Sequence, residues 1–307
     1  MKMKSFNKRG LFALITVILV GILLVGCGSQ GGDDTHIELR GSDTMVNLGQ
    51  NLAEAYMERQ DEVTLSVTGG GSGTGIAAMI DNRVDIANSS RAMRDSEIEQ
   101  ANDNGVDPFE IVIAMDGLAV FVNENVGVEK LTIDQVGAIF RGDITNWSEL
   151  GGSDGEINMY GRQSNSGTYV YFRDNVVKED FSDEVRQMNG TAQIIEGVRN
   201  DSFAIGYGGI GYTVDQNNHV VSGLNVLSMA ADEDSKYVNP LDSKNVESGK
   251  YPIARPLYNY TDGNPEGAQL DYINFALSEE GQQVGVQTGF YPVSPEFREF
   301  NQRQLGN

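Results

Sequence analysis

The chain has 307 residues, with 44 Asp and Glu against 22 Lys and Arg, and its formal charge of −22 makes nucleic acid a poor partner. Cys27 is the only cysteine, which excludes disulfides and thiol chemistry in the domain that follows it. The two histidines, His36 and His219, offer a serine nucleophile little choice of base, and no His/Cys/Asp cluster has metal-ligand spacing, so no metal or cofactor is expected.

Residues 1–27 read as a leader. Lys2, Lys4, Lys8 and Arg9 form a basic start, Leu11 to Val25 an apolar stretch, and Leu24-Val25-Gly26-Cys27 closes it. That ending resembles a bacterial lipoprotein box, which implies lipid on Cys27 and retention at the outer face of the cytoplasmic membrane. Removing the four basic residues of the leader takes the charge from −22 to −26, and only five Lys remain. Such a surface suits work in high salt, where a Debye length of about 3 Å at ~1 M leaves only the local pocket to act on an anionic ligand. No later segment is long and apolar enough to span a bilayer.

Residues 28–35 form a Gly/Asp-rich tether. After it, strand and helix patterns alternate. Strands are expected at Ile37–Leu39, Val63–Val67, Val84–Ala87, Ile111–Val122, Ile157–Tyr160, Ala204–Tyr207 and Asn225–Leu227. Helices are expected at Met45–Arg59, Ile76–Asn82, Ser96–Asn104, Ile133–Phe140, Tyr169–Val177, Ala192–Arg199, Ala268–Leu277 and Glu280–Thr288. Ser96-Glu97-Ile98-Glu99 fits a capping box, and Ala231 to Gly249 looks like a solvated loop. The alternation argues for α/β lobes with mostly parallel sheets. The long strand Ile111–Val122, broken by Asp116-Gly117, and the extended run Tyr251–Tyr258 suit the two crossings of a hinged, two-lobed chain. Ordinary buried strands would show the same periodicity. On the hinged reading, residues 36–115 plus 253–307 form the first lobe and residues 116–252 the second, with the site in the cleft.

Three distant segments place glycine and hydroxyl residues before a helix: Gly41-Ser42-Asp43-Thr44, Gly69-Gly70-Gly71-Ser72-Gly73-Thr74-Gly75 and Gly161-Arg162-Gln163-Ser164-Asn165-Ser166-Gly167-Thr168. A helix start offers unpaired N–H groups and partial positive charge, Ser and Thr add donors, and glycine admits a ligand to the main chain. Singly, each is an ordinary N-cap. Together, with Arg162 beside the third, they suit a small oxyanion. The second lacks the Lys of a nucleotide-hydrolysing loop.

With further segments, the chain resembles the phosphate-binding lipoproteins of ATP-driven (ABC) phosphate uptake systems, which are type II periplasmic binding proteins. These segments include Val84-Asp85-Ile86-Ala87-Asn88-Ser89-Ser90-Arg91, Asp116-Gly117-Leu118-Ala119-Val120, the run from Ile139 to Trp147, Ala204-Ile205-Gly206-Tyr207, Arg255-Pro256-Leu257-Tyr258 and Ser278-Glu279-Glu280-Gly281-Gln282. The resemblance implies two α/β lobes joined by two crossover strands. It implies a monomer without catalysis that takes inorganic phosphate to the transmembrane subunits of an ABC permease. By position it implies ligand donors at Thr44, the Met45 N–H, Ser72, Arg162, Ser166, Gly167 and Thr168. Where well-known members carry an Asp that accepts the phosphate proton, this chain has Ser90, followed by Arg91; Asp116 is then a candidate acceptor, or a plain hinge residue, and Arg91 a candidate second cation. The family often has an acid shortly after the site Arg, where this chain has Gln163 and Ser164. Rival readings are a receptor for sulfate, molybdate or tungstate, a secreted phosphatase using Ser72 or Ser166, and an adhesin or sensor on the same fold.

Overall fold

The computed structural model describes residues 35–306 apart from 216 and 218. The leader, Cys27 and the tether up to Asp34 therefore lie outside the described residues. Thr35, expected in the tether, already belongs to the first strand, paired with Val63.

The first half of the sheet is built from β1 (Thr35–Gly41), β2 (Val63–Thr68) and β3 (Ile86–Ser89), which run parallel in the order β2-β1-β3. The sheet continues through β11 (Ala254–Asp262), antiparallel to β3, and then β4 (Pro108–Asn123). At about 3.3 Å per residue, the 16 residues of β4 extend roughly 50 Å, enough to serve two lobes. Its first part pairs with β11; its last part pairs with β8 (Ala204–Gly209) and β9 (Leu224–Val226). Beyond β8 lie β6 (Asn158–Arg162) and β7 (Arg186–Met188), both parallel. The expected parallel sheets hold for β1, β2, β3 and for β6, β7, β8, while the two crossing strands are antiparallel to each other. A separate ribbon pairs β5 (Lys130–Thr132) with β10 (Ser228–Ala230).

The expected break in β4 is absent: the strand passes through Asp116-Gly117. Gly117 serves packing there, since a Cβ would sit 3.0 Å from Val246 and 3.2 Å from Tyr291. Val246 belongs to a short helix, α7 (Ser243–Glu247), within the stretch expected to be a solvated loop; burial of that one apolar residue orders it.

The remaining helices, α10 apart, follow the apolar periodicity. Those of the first lobe are α1 (Val46–Met57), α2 (Ser72–Ile80), α3 (Asp95–Asp103), α8 (Gly267–Leu277), α9 (Glu279–Gln287) and α10 (Pro295–Leu305). Those of the second are α4 (Ile133–Arg141), α5 (Gly167–Phe172), extended by a π-turn over Arg173–Val177, and α6 (Thr191–Arg199). Alternation along β4 divides the first lobe's core between two faces. Ile113 packs with Leu39, Leu48 and Tyr272, and Val112 with Ile76, Met79 and Tyr260. The second core gathers Phe121, Phe140, Trp147, Phe172 and Tyr207. There the Phe172 and Tyr207 rings stack at 3.8 Å, and each buried aromatic contributes about 1.5–3 kcal/mol. Ile253 and Tyr291, assigned to the first lobe by sequence, pack with this second core.

Helix α10 had no counterpart among the expected elements. Ser294 caps it through the Phe297 N–H and Pro295 starts it. Its Asn301 side chain accepts from the Val112 N–H (3.0 Å) and donates to the Val112 carbonyl (2.7 Å), standing in for a neighbouring strand on the open side of β4. The expected capping box at Ser96 is displaced: α3 starts at Asp95, and it is Glu97 that reaches back to the Arg94 N–H at 2.9 Å.

Candidate functional site

The three glycine and hydroxyl segments meet between the two lobes. From the first lobe, Thr44 lies in a single 3-10 turn (Asp43–Met45) ahead of α1, fully buried. Ser72 is the first residue of α2, four residues earlier than periodicity placed the helix, because Gly71 adopts φ +94° and turns the chain into it. From the second lobe, Ser166 caps α5 by accepting from the N–H groups of Thr168 (3.2 Å) and Tyr169 (3.3 Å).

The contacts between these groups are direct. Thr44 Oγ1 lies 2.8 Å from Thr168 Oγ1, and Ser72 Oγ lies 3.3 Å from Ser90 Oγ at the end of β3. Gly167 brings the second lobe onto that serine pair: a Cβ there would stand 2.3 Å from Ser72 Oγ and 2.7 Å from Ser90 Oγ. Hydroxyls both donate and accept, and three here already accept N–H groups. Ser72 Oγ accepts from the Ser90 N–H at 3.0 Å, and Ser166 Oγ accepts two N–H groups. Thr168 Oγ1 accepts from a guanidinium Nη2 of Arg255 at 3.0 Å. Each of these hydroxyls still carries its proton, for which the neighbouring Ser90 or Thr44 oxygen is one acceptor in the case of Ser72 or Thr168.

Two buried arginines flank the hydroxyls. Arg162, at the end of β6, pairs with Asp43 and also donates to Thr191 Oγ1 (3.3 Å) and the Asn189 carbonyl (3.1 Å), while its Nε has no partner among the described residues. Asp43 comes from the first segment, across the cleft. Tyr212, whose hydroxyl is pushed up to about 12 by burial and then by Asp43, stays a donor and binds the Asp43 carbonyl at 2.7 Å. The second arginine is Arg255, on β11, paired with the fully buried Asp116 at 2.8 Å.

Two of the expected site residues hold other partners in this geometry. Arg91 forms a two-pronged pair with Glu97 (2.6 and 2.7 Å) and donates to the Ala92 carbonyl, while its Nε has no partner among the described residues. Burial opposes ionisation of Glu97, yet the hydrogen bond from Arg91 and the Arg94 N–H hold its carboxyl below the ordinary value. The Met45 N–H donates to the Ser42 carbonyl at 3.1 Å in the 3-10 turn. Asp116 lies beside the cluster, but Arg255 engages its Oδ2 and the Ile210 N–H its Oδ1 at 3.3 Å. The residues missed by sequence are Asp43 and Arg255. Both sat in quoted motifs, Asp43 masked by its hydroxyl neighbours and Arg255 by an extended run read only as a crossing.

Gly73 donates its N–H to the Asn165 carbonyl (2.9 Å), and the Asn165 amide donates to the Gly70 carbonyl (2.9 Å), so the glycine loops also touch across the rim. His36 bonds to Thr64 and Ser66 on the exposed edge of β1 and β2, and His219 sits in an exposed loop beside Asp215; neither contacts Ser72 or Ser166.

Two α/β lobes joined by two crossing strands, with buried donors from both, define a bilobal binding protein of the periplasmic type. The sequence pattern of the PBP superfamily domain matches residues 28–280, and the chain belongs to that family. It is 28% identical to the phosphate-binding protein PstS of Pseudomonas aeruginosa, over 98% of this chain and 97% of that protein. It is 29% identical to the protein of the same name from Staphylococcus aureus, over 96% and 90% respectively. A substrate-binding protein from Clostridium perfringens, assigned to phosphate ABC transport and solved with bound phosphate, superimposes with a TM-score of 0.74 at 26% identity, covering 85% of this chain and all 100% of that one. An ABC-type phosphate transport receptor from Vibrio cholerae gives a TM-score of 0.66 at 26% identity, over 84% and 100%.

Proposed function

We propose that the protein captures inorganic phosphate outside the cytoplasm and delivers it to an ABC permease, anchored by lipid on Cys27. The observation that carries this reading is the convergence of Thr44, Ser72 and Ser90 from one lobe with Ser166, Gly167 and Thr168 from the other, braced by Arg162 and Arg255. A tetrahedral oxyanion presents acceptors in every direction, and this cluster presents protons from both sides. Ligand contacts to both lobes favour the closed form by their differential free energy. Each buried arginine already faces one carboxylate, so hydroxyls, N–H groups and the unpartnered Arg162 Nε carry most of the added negative charge. Relatives named for phosphate binding, over nearly their whole length, support phosphate over other oxyanions.

Binding without turnover is the chemistry we assign. Neither histidine is within reach of Ser72 or Ser166, and the N–H donors on those hydroxyls lower their nucleophilicity. Calorimetry of the purified protein with phosphate, sulfate and molybdate is the test. Saturable one-site binding is expected for phosphate, weaker binding for the others, and no release of product from a chromogenic phosphate ester. Absence of phosphate binding, or tighter binding of molybdate, would overturn the assignment.

A further inference from the structure

Arg255 and Asp116 face each other in register across the two strands that run between the lobes. Both are almost fully buried, at 1% and 0% exposure. The guanidinium reaches three places at once. Nε and Nη2 donate to Asp116 Oδ2 (3.1 and 2.8 Å), Nη1 donates to the Ser90 carbonyl of the first lobe (3.0 Å), and Nη2 donates to Thr168 Oγ1 of the second (3.0 Å). Its plane also lies 5.2 Å from the Tyr171 ring. A desolvated ion pair is a costly way to join two strands, and well-packed apolar residues do that at least as well. What an apolar pair cannot do is donate to both jaws while cancelling a carboxylate beside an anion site.

Building on the phosphate-capture reading, we propose that Arg255 is a positioning residue for that site. It neutralises Asp116 and orients the Thr168 hydroxyl as a donor, and it makes those contacts to both lobes only when they are together. Removing Arg255 alone then leaves an uncompensated carboxylate next to the bound anion. Removing both charges takes that repulsion away while keeping the serine and threonine donors. An arginine serving only as a brace behaves differently, because affinity and melting temperature then fall and recover together across the variants.

The test is calorimetry with inorganic phosphate on the wild-type chain and on Arg255→Gln, Asp116→Asn, the double variant and Arg255→Lys, with melting temperatures recorded in parallel. Arg255→Gln is expected to bind about 100-fold more weakly, as an unpaired buried charge demands. The double variant is expected to return to within about tenfold of wild type. Arg255→Lys keeps the charge but loses the two-way reach, so a loss of about tenfold is expected even if Arg255→Gln fails to fold. A double variant no better than Arg255→Gln, full affinity in Arg255→Lys, or affinities that only track the melting temperatures across the series, overturns the proposal. Failure of wild type itself to bind phosphate would strike the capture reading instead, which separates the two failures.

Discussion

Gly167 is the position where one methyl group tests the whole site. A Cβ there would stand 2.3 Å from Ser72 Oγ and 2.7 Å from Ser90 Oγ, both on the other lobe, so Gly167→Ala must hold the lobes apart or push two hydroxyls aside. Overpacking of this kind costs about 1–3 kcal/mol, which is about 5- to 150-fold in affinity. The clash lies between lobes and not inside a core, so phosphate affinity should fall with little change in melting temperature. Gly190→Ala, with nothing within 4 Å of the added methyl, is the matched control; equal affinity loss in both would remove Gly167 from the interface. Glu97 makes a contrasting case. Its folded-state pKa is depressed, so its pairing with Arg91 stabilises fully above the ordinary carboxylate range and is lost as pH falls through the folded value. Glu97→Gln should lower the melting temperature at neutral pH, by a margin that shrinks below about pH 4, while phosphate affinity stays near wild type. A pH-independent difference would refute the linkage.

The helix starts and the loops before them are elements whose chemistry is local, which is why the sequence exposed them. Glycine, hydroxyl and helix period occur within a few residues of each other, and all three segments do converge. Pairings that close over long separations left no such trace. Arg162 finds Asp43 from 119 residues away and Arg255 finds Asp116 from 139, and nothing in either neighbourhood names its partner. Three-residue strands such as β5, β7 and β10 are too short to show a period, and α7 buries only Val246, too little for a pattern. Helix α10 is different: its Ser-Pro start was readable, but a polar surface with few apolar positions hid the period. The same locality bears on the rim loop between β6 and α5. The Asn165 amide donates across the rim to the Gly70 carbonyl and, at 3.5 Å, to Thr74 Oγ1, while its backbone carbonyl accepts from the Gly73 N–H. Asn165→Ala should remove about 0.5–1.5 kcal/mol from the closed form and speed phosphate release about 2- to 10-fold in stopped flow. Unchanged release would mean that the rim contact does not contribute to closure.

At the scale of the whole molecule, a strongly acidic surface surrounds a site meant for an anion. With a formal charge of −22, long-range repulsion opposes both the compact state and the approach of phosphate at low salt. Salt acts on the two parts unequally. At ~1 M the Debye length is about 3 Å, which removes repulsion between exposed carboxylates, whereas donors buried as deeply as Thr44, Ser72 and Thr168 are screened much less. Salt should therefore raise the melting temperature, by about 5 °C between 0.1 and 1 M if screening returns roughly 2 kcal/mol. Over the same range, phosphate affinity should stay level or rise. An exposed cationic patch would show the opposite, since its attraction is screened along with everything else. Calorimetric titrations at matched pH and several potassium chloride concentrations separate these cases. A fall in affinity of tenfold or more with salt would show that surface charge, and not the buried donor set, draws the anion in.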